Sequence, residues 1–169
     1  MDKPIFIING SGGSGKDTFC KLCSQYLSVY NISSVDTIKK AAKILGWNGE
    51  KDENSRYFLA HMKYLSSRYN NHPYEYIKDK INLFKNKSEK EIMFIHIREP
   101  EEIDKIKNDF CCKTIIVRNK NIKEIKTNEA DASVENYNYD YVIENNGSLN
   151  DLKEDAYDFI NNYVFGGNE

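Results

Sequence analysis

Short unbroken apolar runs alternate along the chain with stretches in which apolar residues recur at helical spacing. Ile5–Ile8 is such a run, ended by Asn9-Gly10, and it has the pattern of a strand buried on both faces of a parallel sheet. From Lys16 to Tyr26, Phe19, Leu22, Cys23 and Tyr26 recur with helical period. A short strand is expected around Ser33–Val35, then a helix capped by Asp36 that runs to about Leu45 and is stopped by Gly46. Two polar helices are expected over Glu53–Tyr69 and Tyr74–Phe84, divided by Asn70-Asn71-His72-Pro73. Ile92–Ile97 and Thr114–Val117 repeat the buried-strand pattern. Between them Pro100 suits the first position of a helix, and Glu101-Glu102 suit its positive end. Asn119–Asn138 is polar, irregular and long for a plain connection, which marks a lid. Tyr141–Ile143 reads as the last strand and Leu149–Tyr163 as the closing helix. The alternation predicts an α/β fold of three layers, about five parallel strands flanked by helices. No repeat or linker divides residues 1–169, so one domain is expected.

Composition narrows the partners. A net charge of -2 and a pI near 6.0 leave no electrostatic footprint for a nucleic acid polymer. The lysines are spread along the chain, with no basic cluster for an anionic membrane surface. No apolar run approaches the roughly 20 residues that a membrane-spanning helix needs. The opening apolar stretch is too short for a signal peptide, so a cytoplasmic location with reduced cysteines is expected.

The segment Gly10-Ser11-Gly12-Gly13-Ser14-Gly15-Lys16-Asp17-Thr18 follows the G-x-x-x-x-G-K pattern between the first strand and the first helix. Glycines let backbone N–H groups turn toward phosphate oxygens without Cβ clashes. The helix start adds free N–H groups and a positive dipole end. Lys16 is a mobile cation able to reach the β- and γ-phosphates. The pattern predicts that Ser11, Gly12, Gly13, Ser14, Gly15, Lys16, Asp17 and Thr18 bind ATP. Asp17 stands where Ser or Thr ordinarily offers a hydroxyl to Mg²⁺. On one reading it holds the Mg²⁺ or a water bound to it, while Thr18 bonds the α-phosphate. On the other it only suits the helix dipole, worth about 0.3–1 kcal/mol.

Gly15-Lys16-Asp17-Thr18 resembles the loop of phage-type deoxynucleoside monophosphate kinases and that of animal-type phosphomevalonate kinases. Asp140-Tyr141-Val142-Ile143-Glu144-Asn145-Asn146-Gly147, followed by Leu149 and Leu152, is similar to the last strand and turn of the same enzymes. Dephospho-coenzyme A kinases carry a comparable turn. The resemblance implies the P-loop NTPase fold in its nucleoside monophosphate kinase-like form. It also implies that Asn145, Asn146 and Gly147 lie against the adenine of ATP. Ile95-His96-Ile97-Arg98-Glu99-Pro100 is similar to the segment where such kinases place an arginine on the acceptor phosphate, which is the role implied for Arg98. His96 departs from the pattern, standing where an Asp that assists the metal is expected.

Phosphoryl transfer needs positioning and charge neutralisation, and the chain has only four arginines for it: Arg56, Arg68, Arg98 and Arg118. Arg98 ends a buried strand at the edge where open α/β sheets bind ligands; it either grips the acceptor or makes a surface salt bridge. Arg118 ends another strand and either reaches the nucleotide from the lid or is simply exposed. Tyr57, His61, Tyr64 and Arg68 lie at i, i+4, i+7 and i+11 on one face of the helix Glu53–Tyr69, beside the apolar stripe Phe58, Met62, Leu65, Tyr69. That face is either an acceptor pocket or a packed edge with a snorkelling Arg68. Asp36 either orients the acceptor or caps a helix. Cys20 and Cys23 read as packing residues. These expectations describe a kinase using ATP and Mg²⁺ on a small phosphorylated acceptor, foremost a (deoxy)nucleoside monophosphate. Lys16, Arg98 and Asp36 are its candidate catalytic groups, with a helical acceptor-binding insertion at about 46–90 and a lid at about 119–138. The alternatives are a catalytically reduced ATP-binding regulatory protein and a kinase of phosphomevalonate or dephospho-coenzyme A.

Overall fold

The computed structural model describes residues 3–122 and 134–166. Strands β1 (Ile5–Asn9), β2 (Val29–Ser33), β3 (Ile92–His96), β4 (Lys113–Arg118) and β5 (Tyr141–Glu144) form one sheet in the order β2-β3-β1-β4-β5, with every pair parallel. Helices α1 (Lys16–Cys23), α2 (Asp36–Ile44), α3 (Glu53–Asn70), α4 (His72–Lys87), α5 (Pro100–Phe110) and α6 (Leu149–Phe159) connect and cover it, and a π-helical turn, Ile160–Phe165, extends α6. The fold is therefore the expected three-layer α/β arrangement. No helix among the described residues is long and apolar enough to cross a membrane.

Alternation along β1 divides the core. Phe6 and Ile8 pack with Phe19, Cys20 and Cys23 of α1 and Leu152, Ala156 and Phe159 of α6. Ile5 and Ile7 face the other way, onto Ile77, Ile81 and Phe84 of α4 and Ile103 and Ile106 of α5. Burial on both faces is why the run Ile5–Ile8 carries no polar residue. Cys20 and Cys23 are buried free thiols, as packing residues should be.

Three boundaries differ from the sequence expectation. The second strand is Val29–Ser33 and not Ser33–Val35. It is an edge strand with only Ile32 fully buried, so Asn31 sits in its middle without a core to exclude it. Asp36 is the first residue of α2 and not its cap: Val35 occupies that position, and the Asp36 carboxylate accepts the Ser33 N–H at 2.8 Å. The loop foreseen between α3 and α4 shrinks to Asn71, whose φ of 55° is the left-handed conformation that Asn tolerates. The stripe foreseen on α3 is not its buried face either. Leu65 and Tyr69 are exposed, whereas Ser55 and Lys63 are buried.

Phe159 joins the two sides of its layer, with ring centroids 4.9 Å from Phe6, 5.5 Å from Phe19 and 5.7 Å from Tyr163. Phe159→Ala is expected to lower unfolding free energy by about 3–5 kcal/mol in urea titration, since a rigid aromatic cluster closes poorly over the cavity left behind.

Candidate functional site

The glycine-rich loop leaves the end of β1 and is tied down on both sides. Asn9 is buried; its Oδ1 accepts the Gly10 N–H at 2.8 Å, and its Nδ2 donates to the Tyr139 hydroxyl at 2.8 Å and the Arg98 carbonyl at 3.3 Å. Gly10 has φ 151°, and a Cβ there would lie 2.5 Å from both Ser14 Oγ and the Val117 carbonyl. Gly15, at φ 98°, precedes α1, and a Cβ on it would strike the Asn145 amide. That amide donates to the Ser14 carbonyl at 2.8 Å. Both glycines are thus fixed by close approach as well as by backbone angle. No side chain caps the N-terminus of α1, so its first N–H groups are left to an outside acceptor.

Two cavities flank the loop. The larger, about 770 Å³, opens at the carboxyl ends of β1, β2 and β3 and takes in Gly12, Gly13, Lys16 and Asp17 from the loop and α1. Burial holds the Lys16 ammonium below its ordinary value; Asp17 raises it in part and Arg98 lowers it further. Asp36, Arg98 and His96 line the same cavity, so the structure brings these three together with Lys16. Asp36 also accepts a 3.3 Å hydrogen bond from Tyr76, whose hydroxyl is pushed up to about 12 by burial and then by the Asp36 charge.

His96 ends β3 level with Ile8 and Ser33 of its neighbour strands. Its Nε2 lies 2.7 Å from Asn31 Oδ1, and its Nδ1 lies 3.7 Å from Asp17 Oδ1. Burial pushes its pKa down to about 4; the Asp17 charge works against this and Lys16 with it. The imidazole is therefore neutral at neutral pH.

Helix α3 presents Arg56, Leu59, Ala60 and Lys63 to the cavity, spaced i, i+3, i+4 and i+7. Lys63 is buried and pairs with Glu99 at 2.5 Å and Glu102 at 2.8 Å at the start of α5. Burial pushes both acids up. Lys63 outweighs it at Glu99, which is lowered, but not at Glu102, which is raised. His61, Tyr64 and Arg68, the acceptor candidates from the sequence, are exposed and do not line this cavity. His61 Nδ1 instead meets the Tyr57 carbonyl at 2.9 Å. The Lys63 ion pairs lie on the face of the helix that also carries Arg56 to the cavity. Lys39, Trp47 and Lys51 also line the cavity and went unread in the sequence. The flanking glycines of Gly46-Trp47-Asn48-Gly49, at φ 96° and 95°, were the available signal.

The smaller cavity, about 300 Å³, lies between Ser11 and Ser14 of the loop and Arg118, the last residue of β4, with Asn119 and Lys120 after it. Ser14 Oγ is buried without a hydrogen-bond partner among the described residues. Arg118 is engaged by Glu135 at 2.7 Å. Asn145 is committed to the loop, and Asn146 Oδ1 accepts the Lys120 N–H at 2.8 Å. These bonds lock the turn containing Gly147 against the loop and the β4 exit. Thr18 is exposed on α1 and lines neither cavity. Most of the foreseen lid, residues 123–133 with Lys123 and Lys126, lies outside the described residues.

No protein-family model and no curated protein sequence matches the chain. Solved structures do. Thymidylate kinase from Candida albicans aligns at TM-score 0.56 and 13% identity over 96% of this chain and 93% of its own. The fold is that of the P-loop kinases. Shikimate kinase from Aquifex aeolicus gives 0.53 and 13%, covering 96% and 99%. APS kinase from Mycobacterium tuberculosis gives 0.50 and 11%, covering 95% and 98%. At these identities the likeness is one of fold.

The buried neutral His96 makes stability depend on pH. Its folded value of about 4 lies below the ordinary 6.5. As pH falls below 6.5 the unfolded chain takes up a proton that the folded imidazole refuses until about 4, so stability is lost across that window. The loss is expected to reach at most about 3 kcal/mol. Urea unfolding at pH 7 and pH 4.5 should show a smaller acid loss in His96→Asn than in the parent chain; equal losses would count against this origin.

Proposed function

We propose that the chain is an ATP-dependent kinase that moves the γ-phosphoryl group to a small phosphorylated acceptor, foremost a (deoxy)nucleoside monophosphate. One observation carries the reading. The larger cavity begins at Lys16 and continues to a cationic wall, and six cationic side chains line it against four acidic ones. The chain as a whole is acidic, at -2, so this local surplus marks a place for anions. ATP phosphates on the loop would occupy one end of the cavity, and an acceptor phosphate would lie near Arg98, Arg56, Lys39 and Lys51 at the other. Trp47 supplies an aromatic face beside those cations; its Nε1–H is spent on the Glu50 carbonyl at 3.1 Å, which fixes the ring on its turn. A base stacked on such a ring gains about 1–3 kcal/mol.

In this reading residues 1–169 act as one domain, and α3, α4 and the turn before them form the acceptor-binding insertion. Asp17 is a hard oxygen donor at the head of α1, of the kind Mg²⁺ accepts. It would share the ion with phosphate oxygens, which the ion would draw together for transfer. Asp36 orients the acceptor from the end of β2. Asn145, Asn146 and Gly147 shape the adenine end of the nucleotide site, with Arg118 above it. A phosphate acceptor is already ionised, so the neutral His96 need not act as a base. The second reading, an ATP-binding regulatory protein with reduced catalysis, is favoured by that same His96 in place of an acid.

Incubation with ATP, Mg²⁺ or Mn²⁺ and a panel of nucleoside monophosphates, phosphomevalonate and dephospho-coenzyme A tests the proposal. ADP is expected with one nucleoside monophosphate. Lys16→Ala should lower kcat by about 10²–10³-fold, the cost of losing one charge-stabilising donor. Arg56→Ala should raise the acceptor KM about 10–100-fold, as loss of a charge-assisted hydrogen bond does. Tight ATP binding without turnover on any of the acceptors would instead favour the regulatory reading.

A further inference from the structure

The contact between His96 and Asp17 has an unusual polarity. With Asn31 Oδ1 accepting at 2.7 Å and Cys20 Sγ at 4.0 Å from the same nitrogen, Nε2 is assigned the His96 proton. The other nitrogen, Nδ1, then presents a lone pair. What it faces, 3.7 Å away, is a carboxylate oxygen of Asp17. Two electron-pair donors thus stand 3.7 Å apart in the cavity that also holds Lys16. A cation satisfies both. Atoms 3.7 Å apart can each reach one ion at about 2.0–2.2 Å, the usual length of metal–imidazole and metal–carboxylate bonds. His96 is held on the sheet with 15% of its side chain exposed, whereas Asp17 is 83% exposed and can adjust to the ion.

We infer that Asp17 and His96 are two protein ligands of a divalent-cation site that a bound triphosphate completes, and that the site favours a first-row transition ion such as Mn²⁺ over Mg²⁺. The preference follows from the donors. Mg²⁺ takes oxygen and gives up its water reluctantly, whereas first-row ions accept imidazole nitrogen beside carboxylate and phosphate oxygen. Dependence on the triphosphate follows from the count. Among the described residues no group of three or more His, Cys, Asp or Glu side chains could hold a metal by itself. Two donors must therefore be supplemented by phosphate oxygens on the Lys16 loop. Asn31 acts behind the imidazole: by accepting from Nε2 it turns the Nδ1 lone pair toward Asp17, as partners of metal-bound histidines commonly do.

The inference rests on the phosphate-binding reading of the loop, and one experiment separates the two. Mn²⁺ and inorganic tripolyphosphate, which contains no nitrogen, are added to the full chain, and pulsed EPR is used to look for ¹⁴N coupling to the ion. The parent chain is expected to show such coupling only with tripolyphosphate present, and His96→Gln to lose it. Mn²⁺ affinity of the tripolyphosphate complex should fall at least about tenfold in His96→Gln and in Asn31→Leu, the scale set by loss of an orienting partner. Mg²⁺ affinity should change by less than half as much on a logarithmic scale. If tripolyphosphate and Mn²⁺ bind the parent chain without ¹⁴N coupling, the His96 ligand is refuted and the loop reading stands. If tripolyphosphate does not bind at all, both fall. The deciding spectrum is that of the parent chain, so a poorly folded variant would not blur the result.

Discussion

The arrangement depends on a single buried amide. Asn9 ends the central strand of the sheet, and its side chain reaches three places at once: the first N–H of the glycine-rich loop, the Arg98 carbonyl beyond β3, and the Tyr139 hydroxyl before β5. Each bond taken alone is worth about 1 kcal/mol net, but a buried amide left unpaired costs about 1–3 kcal/mol, so the three exits hold or fail together. The loop therefore starts from a position set by β3 and by the approach to β5, and not only by β1. Asn145 closes the far end by bonding the Ser14 carbonyl. A glycine loop held at both ends can keep its N–H groups turned inward, which a free loop of that composition would not do.

The sequence made the sheet and the loop legible for a shared reason: both impose strict local rules. A stretch buried on two faces must be unbroken and apolar, and Ile5–Ile8 of β1, Ile92–Ile95 of β3 and Ile115–Val117 of β4 are. The loop demands glycine where φ is positive and a Cβ would collide, at Gly10 and Gly15. β2 was misplaced because an edge strand obeys no such rule. Its Asn31 is polar because it serves His96, and a polar residue in mid-strand hides the strand. Helix α3 misled for the opposite reason. Its inward face meets a polar cavity and an ion-pair cluster, so the face richest in aromatic residues points outward. Hydrophobic periodicity finds the side that meets a core, and over a ligand cavity it selects the wrong one. Trp47, Lys39 and Lys51 belong to no periodic pattern, and only the three-dimensional course of the chain assembles them.

Lys63 ties the α3 side of the larger cavity to α5. Its ammonium is bracketed by Glu99 and Glu102, next to Arg98 in sequence. A buried pair of this kind contributes little net stability compared with apolar packing, since desolvation of the charges offsets their attraction. It links α3, which carries Arg56 in the cavity lining, to the start of α5. The same cluster fixes the start of α5, and through Glu99 the backbone that carries Arg98. The cluster thus stands beside two cationic side chains that line the cavity from different segments of the chain.

Those cations also act on one another. Lys16 is held below its ordinary value by burial, and Arg98 lowers it further, which means that the two charges repel across the cavity. Asp17 raises it more than Arg98 lowers it, so burial is what leaves the ammonium below its ordinary value, and His96, being neutral, adds no charge of either sign. A polyanion between Lys16 and Arg98 would attract both groups and remove their mutual repulsion. The effect is largest for a ligand that places negative charge against both groups at once. Two phosphates meeting between the loop and Arg98 satisfy that condition better than a single phosphate on the loop. The proposed function sets a triphosphate on the loop and a second anion near Arg98, which is the geometry that phosphoryl transfer between them requires.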